Sequence, residues 1–166
     1  MLSETMQTAL NEQVNAELYS AYLYLSMSAY CESKNLAGFA RWMRRQSNEE
    51  VSHGLKIFDY IANQNGRVIL KAVAQPPNEF TSMADVWQQT LDHERHVSGL
   101  IHKLYDLAGR EHDYATQSML QWFVSEQVEE EKTASRILEE VKMIGPSSSA
   151  LLFLDRHVGK EAEAKE

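Results

Sequence analysis

The sequence predicts an all-α chain: four long helices packed as a bundle, a long crossover between the second and third, and a short fifth helix near the C-terminal end. Three observations predict it. Only 7 glycines and 3 prolines are spread over 166 residues, so long stretches run without a helix breaker. Four segments carry residues suited to face a neighbour at alternating steps of three and four, the period of one face of an α-helix. Each of these stripes is interrupted near its middle by a polar residue able to bind a metal ion.

The first stripe is Leu10, Val14, Glu17, Ala21, Tyr24 and Ser28. Its helix starts after Ser3 as N-cap and runs to about Ser33, where Ser33-Lys34-Asn35 forms a turn and Asn35 caps the next helix. The second helix covers about 36–63, carries Phe39, Met43, Gln46, Glu50, His53, Ile57 and Tyr60 inward, and stops at Asn65-Gly66. So short a turn makes these two helices antiparallel neighbours. Over residues 66–81 the helical period ends, and Val68-Ile69-Leu70-Lys71-Ala72-Val73 is followed by Pro76-Pro77. Extended, that segment reaches on the order of 50 Å, against roughly 40 Å for a helix of this size. It is therefore expected to cross the bundle, make helices two and three parallel, and lay its apolar residues along the outside.

Ser82-Met83-Ala84-Asp85 reads as a capping box that opens the third helix, which runs to about Arg110 with Met83, Trp87, Thr90, Glu94, Val97, Ile101 and Leu104 inward. The fourth begins near Asp113, carries Leu120, Phe123, Gln127, Glu130, Ala134, Ile137, Val141 and Ile144, and ends at Gly145-Pro146. After three serines a fifth helix is expected over about 150–159. Leu151, Leu152, Phe153 and Leu154 are consecutive, so they cover more than one face; the bundle covers one side and partner subunits the other. Residues 1–160 read as a single domain, and the charged residues 161–166 as a disordered tail.

A net charge of -8 and a pI near 5.3 exclude a general affinity for nucleic acid and favour small cations. One cysteine, Cys31, forms no intrachain disulfide, which fits a reducing cytoplasm. The first residues have neither a basic start nor an apolar run, so no export signal is visible. The longest apolar run, residues 150–154, falls far short of the roughly 20 residues needed to span a bilayer. A cytoplasmic chain with no membrane partner is expected.

Glu50-Val51-Ser52-His53 is the centre of the pattern. Two ligand-type side chains one turn apart, both on the inward stripe, match the Glu-x-x-His arrangement with which helical bundles hold paired metal ions. The spacing then repeats: Glu94 lies 77 residues after Glu17, Gln127 77 after Glu50, and Glu130 77 after His53. The site reads as two half-sites brought face to face. Acids gathered this way in a core cost several kcal/mol each unless protons or metal ions balance them. Oxygen ligands with one nitrogen and no thiolate suit iron(II) or manganese. Two ions bridged by one carboxylate account for so many acids, and Glu50 is the central candidate. Trp122 and Tyr24 are rings near this point; the histidines at 93, 96, 102, 112 and 157 show no ligand partners and read as surface residues, with His157 a candidate for lining an opening where terminal helices meet, and Met6, Met27, Met43, Met83, Met119 and Met143 read mostly as packing.

The chain resembles the non-haem ferritins of prokaryotes over nearly its whole length. The resemblance is carried by Glu17, Glu50-x-x-His53, Glu94, the run Glu126-Gln127-Val128-Glu129-Glu130-Glu131, the connection with Pro76-Pro77, and the terminal Leu-Leu-Phe-Leu-Asp. It implies a ferritin-like bundle assembled as a 24-subunit cage, in which a di-iron centre oxidises iron(II) with dioxygen or hydrogen peroxide and the ferric product is stored as mineral. By position, Glu17, Glu50 and His53 would hold the first iron, and Glu50, Glu94 and Glu130 the second. Gln127 would orient dioxygen or water, and Tyr24 would bond a ligand and supply an electron. Glu49, Glu126 and Glu129 would form a third iron site with Glu130. A haem-containing bacterioferritin is disfavoured, because Gln127-x-x-Glu130 replaces its second Glu-x-x-His and Ser52 replaces a methionine, so no haem is expected. A mini-ferritin that protects DNA is disfavoured by the acidic tail and by a ligand set complete within one chain. A different di-iron carboxylate oxidase would keep the same bundle, and so would a metal-free structural protein.

Overall fold

The computed structural model describes residues 1–165, and they form five helices: α1 (Glu4–Ser33), α2 (Ala37–Asn63), α3 (Met83–Arg110), α4 (Tyr114–Ile144) and α5 (Ser148–Ala164). Local sequence sets most of the ends. Ser3 Oγ accepts from Met6 N at 2.9 Å, Ser82 Oγ from Asp85 N at 3.0 Å, and Asp113 Oδ1 from Thr116 N at 3.0 Å. Each satisfies one of the amides a helix start leaves unpaired.

Asn35 does not cap α2. It terminates α1 instead, in the left-handed conformation with φ 58°, while Leu36 N donates to Cys31 O and Asn35 N to Glu32 O, both at 3.0 Å. Asn65 and His112 end α2 and α3 the same way, with φ of 59° and 57°. Helix α2 therefore starts with no cap of its own. The missing acceptor comes from α5, where Asp155 Oδ1 takes the Phe39 amide at 2.8 Å.

Side-chain contacts give the topology. Ser28 reaches Ala40 and Ser47 reaches Ala21, so α1 and α2 are antiparallel. Ser20 meets His93 and Cys31 meets Met83, so α1 and α3 are antiparallel too. Helices α2 and α3 consequently run parallel, as expected from a 66–81 connection long enough to cross the bundle. That connection has no regular structure and lies along α1: Asn11 bonds Arg67 O and the Ile69 amide, Asn15 bonds Ala72 O at 3.2 Å, and Ser26 bonds Pro77 O at 2.6 Å. Its anchoring is polar rather than apolar. Pro76 and Phe80 are buried, but Ile69 and Leu70 are exposed, and polar side chains of α1, Gln7, Asn11, Asn15 and Ser26, tie the segment down.

Every stripe residue expected to face inward is buried except Tyr60 and Ile144, which are half-buried at the bundle ends. The core divides into two apolar clusters. One holds Tyr24, Met27, Phe39, Met43, Trp87 and Ile137; the other holds Met6, Leu10, Ile57, Ile61, Ile101, Leu120 and Phe123. In each of the four long helices the ligand-type residues fall in the gap between the two. Burial of side chains of this size contributes about 2 kcal/mol apiece, enough to hold a polar layer between them. Among the methionines, Met143 is an exception to the packing reading: it lies at the C-terminal end of α4 and is exposed.

Helix α5 runs to Ala164, past the expected end near 159, so the tail expected to be disordered is helical through that residue; Glu166 lies outside the described residues. The reason is packing and pairing. Leu154, Val158 and Ala162 are buried, and Glu161 and Glu163 pair with Arg136 and Arg41 of the bundle. The opposite face leaves Phe153 77% and Leu152 47% exposed. Cys31 is a buried free thiol whose pKa burial pushes up to about 12. Among the described residues, no helix is long and apolar enough to cross a membrane.

Candidate metal centre

Each of the four long helices places a buried side chain in the layer between the two apolar clusters. Glu17, Glu50, His53, Glu94, Gln127 and Glu130 are all buried, Glu130 the most exposed of them at 8%. One ligand atom from each of Glu17, Glu50 and His53 lies within 4.8 Å of the others, roughly the span of donors around an ion with bonds of about 2.1 Å. A second group, Glu49, His53, Glu126 and Glu130, meets the same limit on the side of the bundle where Glu49 and Glu126 are half-buried.

The four buried carboxylates hold only neutral hydrogen-bond donors and one histidine. Gln13 Nε2 donates to Glu17 Oε1 at 2.8 Å. Gln46 Nε2 donates to both Glu50 Oε1 at 2.9 Å and Glu130 Oε2 at 3.0 Å, tying α2 to α4 across the centre. His53 Nδ1 lies 3.2 Å from Glu50 Oε2. Glu94 receives the Tyr24 hydroxyl on one oxygen and Gln127 Nε2 at 3.1 Å on the other. Among the described residues no lysine or arginine pairs with any of the four.

The electrostatic consequence follows directly. Burial, and then the charge of Glu94, pushes Glu50 up to about 8 and Glu130 up to about 9. Glu17 is raised well above the ordinary carboxylate value by burial and by Glu50, and Glu94 is raised by burial. Burial and Glu94 also raise Tyr24, which keeps its proton and remains a donor. A cluster that resists ionisation this strongly is one a divalent cation can relieve.

A pH prediction comes from the same shifts. Folded Glu50 and Glu130 bind protons more tightly than the unfolded chain does, so between the ordinary carboxylate value and about 8 to 9 the folded form carries the extra protons. Stability of the metal-free protein must fall as pH rises through that window and level off above it. Thermal unfolding in chelator across the window should show the decline, and saturation with a divalent cation should flatten it. Stability rising with pH would contradict the arrangement.

The acids are legible in the sequence; what holds them is not. Gln13 and Gln46 stand four residues before Glu17 and Glu50, one turn away on the same face, and that spacing was the available signal. His93 was expected at the surface. It is half-buried against Tyr19 and Tyr24, with Nε2 2.8 Å from Ser20 Oγ, and burial and His96 lower its pKa to about 4. Trp122 stands with its ring 5.3 Å from His53, and Lys56 Nζ lies 3.9 Å from the ring centre. His157 is exposed beside Glu161.

Two expected groupings differ in detail. Glu129 is not part of the side group: it is exposed, with Lys132 Nζ at 3.8 Å, because α4 turns it outward from the seam that Glu126 and Glu130 border. His53 takes its place. Glu94 belongs to neither gathered group, since Tyr24 and Gln127 hold both its oxygens.

Comparison with known proteins agrees with this geometry. The family model described as the ferritin-like domain matches residues 7–144. A bacterial non-heme ferritin of Bacteroides fragilis is 42% identical over 160 residues, covering 96% of this chain and 99% of that one. Another from Staphylococcus epidermidis is 38% identical over 158 residues, 95% of each. A solved structure of an open-pore ferritin from the hyperthermophilic archaeon Archaeoglobus fulgidus superposes with a TM-score of 0.95 at 48% identity, covering 96% of this chain and 98% of that chain. By family, relatives and fold together, this chain belongs to the ferritin-like family as a prokaryotic non-haem ferritin.

Proposed function

We propose that the protein stores iron in the cytoplasm: it takes up iron(II), oxidises it at a pair of sites in the bundle core, and deposits the ferric product inside a closed shell of 24 copies of the chain. The single observation that carries this reading is the layer of four buried carboxylates and one histidine with, among the described residues, no lysine or arginine to balance them. Divalent iron is substrate and cargo here. Glu17, Glu50 and His53 hold one ion, and Glu50, Glu94 and Glu130 the other, with Glu50 between them. For that, Glu94 exchanges a hydrogen bond for the ion.

Two iron(II) ions each give one electron to dioxygen, which takes up two protons and leaves as hydrogen peroxide; hydrogen peroxide as oxidant takes the same two electrons and two protons to give two waters. Gln127, beside Glu94, orients the oxidant or a water. Tyr24 orders Glu94 through its hydroxyl and offers a ring able to give a further electron. Glu49 and Glu126, with Glu130 and His53, supply a side site that borders the centre; Glu129 contributes there only by turning inward. The exposed Leu152 and Phe153 face of α5 is covered by α5 of neighbouring copies.

Aerobic loading with iron(II), followed by size-exclusion chromatography and iron analysis, tests the reading. The expected product is a particle near 24 subunits carrying many irons per subunit, without the visible absorption of haem. A small species that retains no iron would overturn it.

A further inference from the structure

Arg45 has no part in the centre described above, yet it sits at its edge. It stands one turn before Glu49 on α2, with Nη1 2.7 Å from Glu49 Oε2. Its guanidinium lies 5.6 Å from the centre of the Trp42 ring, its side chain is 13% exposed, and its buried Nε has no hydrogen-bond partner. Among the described residues it is the one basic side chain paired with any acid of the Glu49, His53, Glu126 and Glu130 group.

We propose that Arg45 is a resident counter-cation that competes with divalent metal for Glu49, so that an ion held by Glu49, Glu126 and Glu130 is bound weakly and passes on to the centre. This rests on the reading of those acids as iron ligands. Glu49 Oε2 cannot serve the guanidinium and a metal ion fully at once, and a divalent ion a few ångströms away repels the arginine. Arg45 also has somewhere to go. The Trp42 face is already beneath it, and its unsatisfied Nε means that the present pose does not use all its donors. His53 and Glu130 belong to the side group, while Gln46 links Glu130 to Glu50. An ion released from Glu49 is therefore already in contact with ligands of the centre.

Calorimetric titration of the full-length assembled protein with Zn²⁺, which is redox-inert, tests this. Relative to wild type, Arg45→Met should tighten the side site about tenfold, the size of one lost charge-assisted competitor, and leave the sites that depend on Glu17 and Glu50 unchanged. Arg45→Lys restores a cation and should return the affinity toward wild type, which a purely structural role for Arg45 would not predict. Adding Glu49→Gln to Arg45→Met should erase the gain. An Arg45→Met side site no tighter than wild type, or a gain that survives Glu49→Gln, overturns the role of Arg45. Wild-type protein with no Zn²⁺ binding dependent on Glu17 and Glu50 would sink the iron reading instead, so the two failures are distinguishable.

Discussion

Glu50→Ala and His53→Ala are each expected to abolish rapid iron(II) oxidation, by at least about a hundredfold, while the protein still folds and assembles. Glu50 is the most connected acid of the centre: its two oxygens engage Gln46 and His53, and its charge raises Glu17 and Glu130. Removing it would take away the acid proposed to serve both ions. Folding should survive, because a carboxyl pushed up to about 8 contributes cost rather than stability in the metal-free chain, and alanine is a good helix former. His53→Ala would remove the nitrogen proposed as a ligand while keeping the acids. Stopped-flow oxidation assays with particle size measured alongside separate the two effects. Wild-type rates in both variants would be incompatible with the centre proposed.

Gly38→Ala is expected to destabilise the protein by on the order of 3 kcal/mol, or to release α5 from the bundle. A Cβ at Gly38 would lie 1.8 Å from Asp155 O and 2.6 Å from its carbonyl carbon, and one at Gly159 would lie 2.8 Å from Gly38 Cα. These are backbone atoms, which cannot swing aside as a side-chain tip can. Helix α5 would have to withdraw, taking with it the Asp155 cap on Phe39 and the burial of Leu154 and Val158. Gly99→Ala is the control. Apart from its chain neighbours and its own helix backbone, no described atom lies within 4 Å of its Cβ position in the middle of α3, so that change should add up to about 1 kcal/mol. Denaturant midpoints, with limited proteolysis of the 145–148 link, read both. Equal stability of Gly38→Ala and wild type would mean the two helices are not held at this crossing.

The seam was legible in the sequence because α-helical period is a local property: Glu17, Glu50, His53, Glu94 and Glu130 could be placed inward from spacing alone, and all are buried. The parallel course of α2 and α3 was legible from the length of the connection. Contacts between distant residues were not. Nothing near Leu36 announces that Asp155 will cap α2 from 116 residues away, so Asn35 was the plausible local choice. The helical end of α5 escaped for the same reason, since Glu161 and Glu163 look like a solvated tail until Arg136 and Arg41 are in place. Spacing could place Gln46 inward, but not show that its amide bridges Glu50 and Glu130 or that Gln13 holds Glu17, because such contacts depend on where the side chains of the packed helices lie. Glu129 and Glu130, adjacent in sequence, differ by one helical step of about 100°; one faces the centre and the other faces water.

The most direct test is an anomalous difference map at the iron edge from crystals soaked anaerobically in ferrous salt. Two strong peaks flanking Glu50 are expected, one near Glu17 and His53 and one near Glu94 and Glu130, with a weaker peak beside Glu49 and Glu126. An empty core, with iron bound only along the outer acidic surface, would contradict the account.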